Sequence, residues 1–435
     1  MALPNIGIIA DDLTGAMDSA SAMAAHGLSA EVFLDYSHEL GSATTDIICI
    51  NTQSRLMYEP QAMKAVTSAT KLLRAFGCNR LYKKIDSTLR GNVGEELTAM
   101  ITAAGKRRAF VCPAFPEMGR TVRDGIIEVN GRRLTVSREG NDPFNSVGEA
   151  SVVRLLQKQT KGSVGHVPIG IIERGAEAVD KRIQELFADG CDLIVLDAIT
   201  TVHMSTLASV ITRNYPGEIA VGSAGLASAL AKAISHIQTA KEKAIPTVRQ
   251  GRYLVISGSL HPASQKQVQQ LAASLDVALL PINAADMLQE QASINAVATR
   301  IAQEIARAFA SGQHAALYWQ DPESLRTLLE DESTNDSRVQ VIAEFYRGVL
   351  EKLHDQSKLA GLIVVGGETA YMVARAVQAR SVLITDEVSP GIPVGRLVGG
   401  LAAGRLLLTK AGGFGGHTTL VEVIEYLESN SYIPL

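Results

Sequence analysis

Short apolar runs alternate with helical periodicities through the first half of the chain. The runs at Ile6–Ile9, Ala30–Leu34, Asp46–Ile50, Arg80–Ile85, Arg108–Val111, His166–Ile169 and Leu193–Asp197 predict strands. The periodicities near Ala16–Ala25, Pro60–Phe76, Gly94–Ala104, Glu173–Phe187 and Met204–Arg213 predict helices. This alternation predicts parallel strands joined by crossover helices. Residues Pro113–Ser146 break the rhythm with Pro, Gly and Asn. Within them Asn130-Gly131 separates Ile126–Val129 from Arg132–Val136, a type I′ hairpin signal. The reading is an inserted hairpin near 126–136, a candidate flap over a cleft.

The stretch Thr239–Gly251 is polar, carries Pro246 and lacks periodicity. It sets the expected boundary between domains 1–245 and 246–435. The second half restarts with strands at Tyr253–Ser257, Val277–Pro281, His314–Trp319, Gly361–Val365, Ser381–Thr385 and Arg405–Lys410. Helical patterns lie between them at Ala263–Leu275, Ser293–Ala310, Asn335–Leu353 and Ala370–Ala379. Pro390–Gly395 reads as a rigid turn. The expected fold class is α/β, with two domains, each a mostly parallel sheet flanked by helices.

Composition narrows the function classes. A net charge of -4 over 435 residues argues against non-specific binding to nucleic acid or to an anionic membrane. No apolar run reaches the length of a transmembrane helix. A strand begins within a few residues of Met1, without a basic or cleavable leader. Cys49, Cys78, Cys112 and Cys191 show no metal-ligand spacing and read as reduced core thiols. The expected compartment is the cytoplasm.

Three segments of the first half carry chemistry. In Asn5–Asp18 an apolar run stops at Asp11 and Asp12 and then enters a helical pattern. One acid can serve as the helix N-cap. Two exceed that need, and strand ends in open α/β sheets are where sites form. In Tyr82–Asn92, strand alternation puts Lys84 and Asp86 on one face, with Lys83 and Ile85 on the other. Asn92 and Glu95 stand at capping-box spacing, so Ser87–Gly91 is a strand-to-helix loop suited to an anion. Lys84, Ser87, Thr88 and Arg90 could grip a carboxylate or phosphate there. Arg55 follows the strand Asp46–Ile50 and suits bidentate carboxylate binding, although a surface arginine is an equal reading.

In the second half, apolar runs lead into glycine turns three times. These are Ser257-Gly258-Ser259, Gly366-Gly367-Glu368-Thr369 and Ala411–Gly416, the last followed by Thr419 and Glu422 at capping-box spacing. Glycine lets backbone N–H groups approach a polyphosphate. One such turn means little; three point to a nucleotide. Walker-loop, dinucleotide and zinc-protease motifs are missing, as is a serine nucleophile elbow.

Taken in order, IADDLTGAMD, KKIDSTLRGN, CPAFPEMGRTVRDG, VISGS, GGETA, PGIPVG and KAGGFG resemble the four-carbon acid sugar kinases. The resemblance runs from Ile6 to Gly415 and is looser at Ser137–Lys161 and Asp321–Asp336. It implies ATP-dependent phosphorylation of the terminal C4 hydroxyl of a four-carbon sugar acid, with the active site in an interdomain cleft. It implies acid-sugar binding by the N-terminal domain, at Asp12, Arg55, Lys84, Ile85, Asp86 and Ser87, with Asp11 beside them. It implies ATP binding by the C-terminal domain, at Ser257, Gly366, Gly367, Glu368, Thr369 and Gly412. Mg²⁺ is expected on the phosphates, with its protein ligands unassigned. Asp12 is the favoured base and Asp86 the hydroxyl binder. D-threonate is the first expected substrate, ahead of 3-oxo-tetronate and D-erythronate. Partners are then the acid and ATP, without nucleic acid or membrane, and a homo-oligomer stays open. Two readings outside the class are a sugar-acid dehydrogenase, disfavoured by the missing dinucleotide fingerprint, and a non-catalytic metabolite sensor, disfavoured by the paired acids.

Overall fold

The computed structural model describes residues 6–36, 40–41, 43–137, 140, 147–235, 251–283, 285, 291–321, 335–353 and 358–429. The chain divides into two compact units, Met1–Lys243 and Ala244–Leu435. The predicted boundary segment lies outside the described residues apart from Gly251.

The first unit is built on parallel strands β1 (Ile6–Ala10), β2 (Ala30–Phe33), β3 (Ile47–Asn51), β4 (Arg80–Lys84), β5 (Ala109–Cys112), β9 (Val164–Val167), β10 (Leu193–Leu196) and β11 (Ile219–Gly222). Their order is β2-β3-β1-β4-β11-β5-β10-β9, and every pairing among them is parallel. Strand β1, IGIIA, is buried along its whole length, as a strand covered on both faces must be. Helices α1 (Leu13–Ala24), α2 (Glu59–Ala75), α3 (Val93–Ala104), α4 (Val152–Gln159), α5 (Ile169–Ile172), α6 (Ala176–Ala188), α7 (Thr201–Asn214) and α8 (Ala224–Ser235) connect them. Later strands run to one side of β1 and β2–β3 to the other, so the order reverses at β1. The carboxyl ends beside such a switch point form the crevice where open sheets bind ligands.

Several features depart from the sequence reading. Strand β11 and helix α8 were not expected: IAVG is a short run behind a polar turn, and α8 is Ala-rich with little polar contrast. Strand β11 fills the sheet between β4 and β5. The inserted hairpin is a three-stranded sheet of β6 (Arg120–Arg123), β7 (Ile126–Val129) and β8 (Arg132–Arg133). Its Asn130-Gly131 turn has both φ angles positive, at 50° and 75°, as type I′ requires. Asp124-Gly125, at 51° and 72°, makes a second turn of the same kind. The arm read as Arg132–Val136 ends at Arg133, and a 3₁₀ turn follows over Leu134–Val136.

The second unit holds β12 (Arg252–Ser257), β13 (Val277–Ile282), β14 (His314–Trp319), β15 (Leu359–Val365), β16 (Ser381–Ser389), β17 (Ile392–Val398) and β18 (Leu406–Lys410), in the order β13-β14-β12-β15-β18-β17-β16. The first five in that order are parallel, and β17 and β16 are antiparallel additions. Pro390–Gly395 is therefore not a free-standing rigid turn. Only Pro390-Gly391 turns, and Ile392 onward is strand. Helices α9 (Pro262–Ser274) and α10 (Gln291–Ala310), with those at Asn335–Leu353, Gly367–Ala376 and Thr419–Ser429, complete this unit. Here the order reverses at β12, as it does at β1 in the first unit.

Candidate active site

In the first unit the ends of β1, β3 and β4 bring one cluster together. Asp12 is extended (φ -146°, ψ 159°) and caps α1, its Oδ1 accepting from Gly15 N at 2.9 Å. The loop after β3 is drawn onto β1: Thr52 donates from N and Oγ1 to Ala10 O, and Arg55 N donates to Asp11 O. This swings the Arg55 side chain between the paired acids. Its Nε and Nη2 donate to Asp11 at 2.9 and 2.8 Å, and Nη1 and Nη2 donate to Asp12, both at 2.8 Å. Four of five guanidinium N–H groups are thus committed.

Asp86 follows β4 and has its own arginine. Arg90 Nε and Nη2 hold its two oxygens, both at 2.9 Å, and Thr88 donates from N and Oγ1. Leu89 takes a left-handed φ of 62° to turn Arg90 back, a cost its burial sustains. Asn92 stands at the N-cap of α3 but does not cap it; its amide donates to Met57 O at 2.8 Å. The capping-box reading is corrected accordingly, and at the last helix Thr418 rather than Thr419 bonds Glu422.

Electrostatics separates these acids. Burial opposes ionisation of Asp86, but the charges of Arg90 and Arg55 outweigh it and hold the carboxyl well below the usual range. Burial likewise opposes ionisation of Asp11, and Arg55 again wins, so its carboxyl is lowered. Burial and the same three carboxylates act on Arg55, which ends well above its ordinary value. Asp18, one turn further into α1, is different. Burial pushes it up to about 6; Lys84 pulls against this and Asp12 adds to it. Its Oδ1 and the nearby Thr14 Oγ1 are buried without a hydrogen-bond partner among the described residues.

Lys84 lies against the start of α1, where a Cβ on Gly15 would be 2.6 Å from its Nζ. The residue is 5% exposed, and its ammonium makes no hydrogen bond among the described residues. Lys83 points the other way, as alternation predicts. It is fully buried, pairs with Glu96 Oε2 at 2.8 Å and donates to Lys84 O. Ile85 is core, and Ser87 is partly exposed beside Asp86.

In the second unit the three glycine turns pack on one another. A Cβ on Gly258 would collide with Thr369, and one on Gly412 with Ser259. Gly366, at φ 112°, has Ser259 N 3.5 Å from its Cβ position. Gly367, Glu368 and Thr369 form the first turn of the helix that follows. Ser257 Oγ, at the end of β12, is buried with no partner among the described residues. Lys410, at the end of β18, was not anticipated as part of this site. It is 1% exposed, and burial pushes its ammonium down to about 8. A lysine between an apolar run and a glycine loop was the available signal. Among the described residues no three His, Cys, Asp or Glu side chains gather as metal ligands, and no helix is long and apolar enough to cross a membrane.

Two families match this arrangement in sequence. Residues 6–230 match a family described as the sugar-binding N-terminal domain, and residues 254–420 one described as the nucleotide-binding C-terminal domain. A D-threonate kinase of Salmonella typhimurium is 30% identical, over 97% of this chain and 98% of its own. A D-threonate kinase of Bordetella bronchiseptica is 31% identical, over 99% of both. A 3-oxo-tetronate kinase of Brucella melitensis is 27% identical, over 94% and 93%. In fold, a solved Salmonella typhimurium protein superposes with a TM-score of 0.81 at 24% identity, over 96% of this chain and 98% of its own. A Haemophilus influenzae protein gives 0.74 at 25%, over 97% and 100%. The chain is a carbohydrate kinase, an enzyme that transfers phosphate from ATP to an alcohol group. The chain belongs to the four-carbon acid sugar kinase family.

Proposed function

We propose that the substrate is D-threonate and the product 4-phospho-D-threonate, formed in the cytoplasm. The observation that carries the site assignment is Lys84, an almost buried ammonium that bonds no acceptor among the described residues. Its charge acts on the Asp18 and Asp11 carboxyls without a hydrogen bond to either, so an ammonium in so enclosed a residue gains from a ligand that supplies an acceptor. The C1 carboxylate of a sugar acid is such a ligand. Arg55, committed to Asp11 and Asp12, fixes those acids more than it grips the substrate. Asp86, held strongly ionised by Arg90 and Arg55, is a poor proton acceptor but a good partner for sugar hydroxyls. Ile85 and Ser87 shape the same turn. Asp12 takes the proton of the attacking hydroxyl; among the described residues its Oδ2 accepts from Arg55 alone and so keeps one lone-pair direction open.

ATP is assigned to Ser257, Gly366, Gly367, Glu368, Thr369 and Gly412. The unsatisfied Ser257 hydroxyl and the Glu368 carboxylate are oxygen donors of the kind Mg²⁺ accepts, and they would hold it with the phosphates. When bound, Mg²⁺ supplies neutralisation of phosphate charge. Transfer then depends mainly on positioning, which the fixed acids of the first unit supply.

D-threonate kinases at 30% and 31% identity support this substrate, and 3-oxo-tetronate kinases at 27% to 31% identity make a 3-oxo-tetronate the alternative. ADP release should be measured across D-threonate, D-erythronate, L-threonate and 3-oxo-tetronates. The highest kcat/KM is expected with D-threonate. Preference for a 3-oxo-tetronate would overturn the substrate, and ATP binding without ADP release from any acid would favour the sensor reading.

A further inference from the structure

The loop after β18 has an unusual one-sidedness. Lys410 Nζ donates to Ala411 O at 2.9 Å and to Phe414 O at 2.8 Å. From α9, Ser264 Oγ donates to Gly412 O at 2.8 Å. Gln267 Nε2 donates to Phe414 O at 3.1 Å and to Gly416 O at 2.8 Å. All three side chains are buried: Ser264 and Gln267 are fully enclosed. Four carbonyls of one short loop are therefore drawn to donors from inside the fold.

Peptide planarity converts this into a statement about the opposite side. In a trans peptide the C=O of one residue and the N–H of the next point in opposite directions, and no described peptide is cis. Fixing the carbonyls of Ala411, Gly412, Phe414 and Gly416 inward aims the N–H groups of Gly412, Gly413, Gly415 and His417 away from the clamp. None of these four donates to any described residue. Gly412 and Gly413 are consecutive, while the Phe414 N–H between them and Gly415 turns back to Ala411 O; neighbouring N–H groups aimed to one side make a concavity for an anion.

We propose that Lys410, Ser264 and Gln267 are positioning residues that hold this loop as a preformed phosphate cradle, with the N–H groups of Gly413, Gly415 and His417 joining Gly412. They act on the nucleotide through the backbone and do not touch it. The inference rests on the reading of this unit as the ATP site. It goes further by saying which nucleotide group the loop takes and what keeps the loop open.

The test compares ATP, ADP and adenosine binding to the full-length parent, to Ser264→Ala and to Gln267→Met. Each variant removes donors from one or two carbonyls, and Ser264→Ala deletes a single hydroxyl, so at least one folded variant is expected. Loss of one clamp should weaken ATP and ADP roughly three- to tenfold, following the usual worth of a hydrogen bond, and leave adenosine unchanged. KM for the acid should stay constant. Equal weakening of ATP and adenosine would show a merely structural role and overturn the proposal. So would unchanged ATP affinity in both variants. Failure of ATP to bind the parent would instead sink the underlying nucleotide reading, and it would be seen before any variant is made.

Discussion

Arg55 holds Asp12 by two hydrogen bonds of 2.8 Å, from Nη1 and Nη2, while Asp12 also caps α1 through Gly15 N. The residue does two things at once. One is structural, because an N-cap satisfies an orphan N–H worth about 1 kcal/mol. The other is electrostatic, because its charge balances Arg55. These roles can be separated by substitution.

Asp12→Asn keeps the cap, since Asn ranks with Asp at that position. It removes the charge and the proton acceptor. Turnover should fall by at least about a hundredfold, the lower end of what a general base contributes. The affinity for ATP should stay within twofold of the parent, and stability should fall by roughly 1–3 kcal/mol, because the new NH₂ group faces an Arg55 N–H that Asp12 Oδ2 accepts. Steady-state kinetics and nucleotide titration check this. Turnover at the parent rate would remove Asp12 from the chemistry.

Asp18 should make stability depend on pH in an unusual direction. Its carboxyl is pushed up to about 6 by burial, against about 3.9 in an unfolded chain. Between those values the folded protein binds the proton and the unfolded chain does not. Stability therefore falls as pH rises from about 4 to about 6, and the full penalty, about 3 kcal/mol, is present above that. Asp18→Asn should be more stable than the parent at pH 7 and nearly equal to it at pH 4. Thermal melts at the two values decide. An Asn variant that gains nothing at pH 7 would contradict the assignment.

The strand-to-acid turn at Asp11-Asp12, the alternation that separates Lys83 from Lys84, and the three glycine turns were all legible in the sequence. Each is a local pattern, set by a few adjacent residues. What escaped depends on tertiary placement. Arg55 could be put at a strand end, but its engagement with both acids follows from the Thr52 bonds that fold its loop onto β1. Strand β11 carries no alternation because both its faces are covered, and its place between β4 and β5 is a matter of sheet order. Asn92 has the right spacing for a cap, yet the carbonyl of Met57 competes for its amide and wins.

The Lys83–Glu96 pair ties the end of β4, which carries Lys84, to α3. Both side chains are buried and 2.8 Å apart. Burial raises the Glu96 carboxyl against the pull of Lys83. Removing one partner strands the other, at about 3–5 kcal/mol, whereas replacing both by apolar groups is often near neutral. Lys83→Met should thus be strongly destabilised, and Lys83→Met/Glu96→Leu should recover most of the loss. Urea unfolding of the parent, both single variants and the double variant gives the coupling. A double variant as unstable as Lys83→Met alone would mean that the pair is not what holds β4 to α3.

Asp197, after β10, anchors the inserted sheet. Its Oδ1 accepts from Gly125 N and from His166 Nε2, both at 2.9 Å. Its Oδ2 accepts from Asp124 N at 2.6 Å and from Ile169 N at 2.9 Å. The carboxylate is fully buried, so these donors have no water to turn to. Asp197→Asn keeps the shape but turns one oxygen into an NH₂ group facing N–H donors, whichever way the amide is flipped. Stranding buried donors costs roughly 1–3 kcal/mol each. Because Asp124-Gly125 is the turn between β6 and β7, the loss should fall first on that sheet. Hydrogen exchange should accelerate across 120–133 in Asp197→Asn while β1 and β4 keep their protection. Uniform acceleration through the whole unit would instead make Asp197 a general core residue with no particular hold on the insertion.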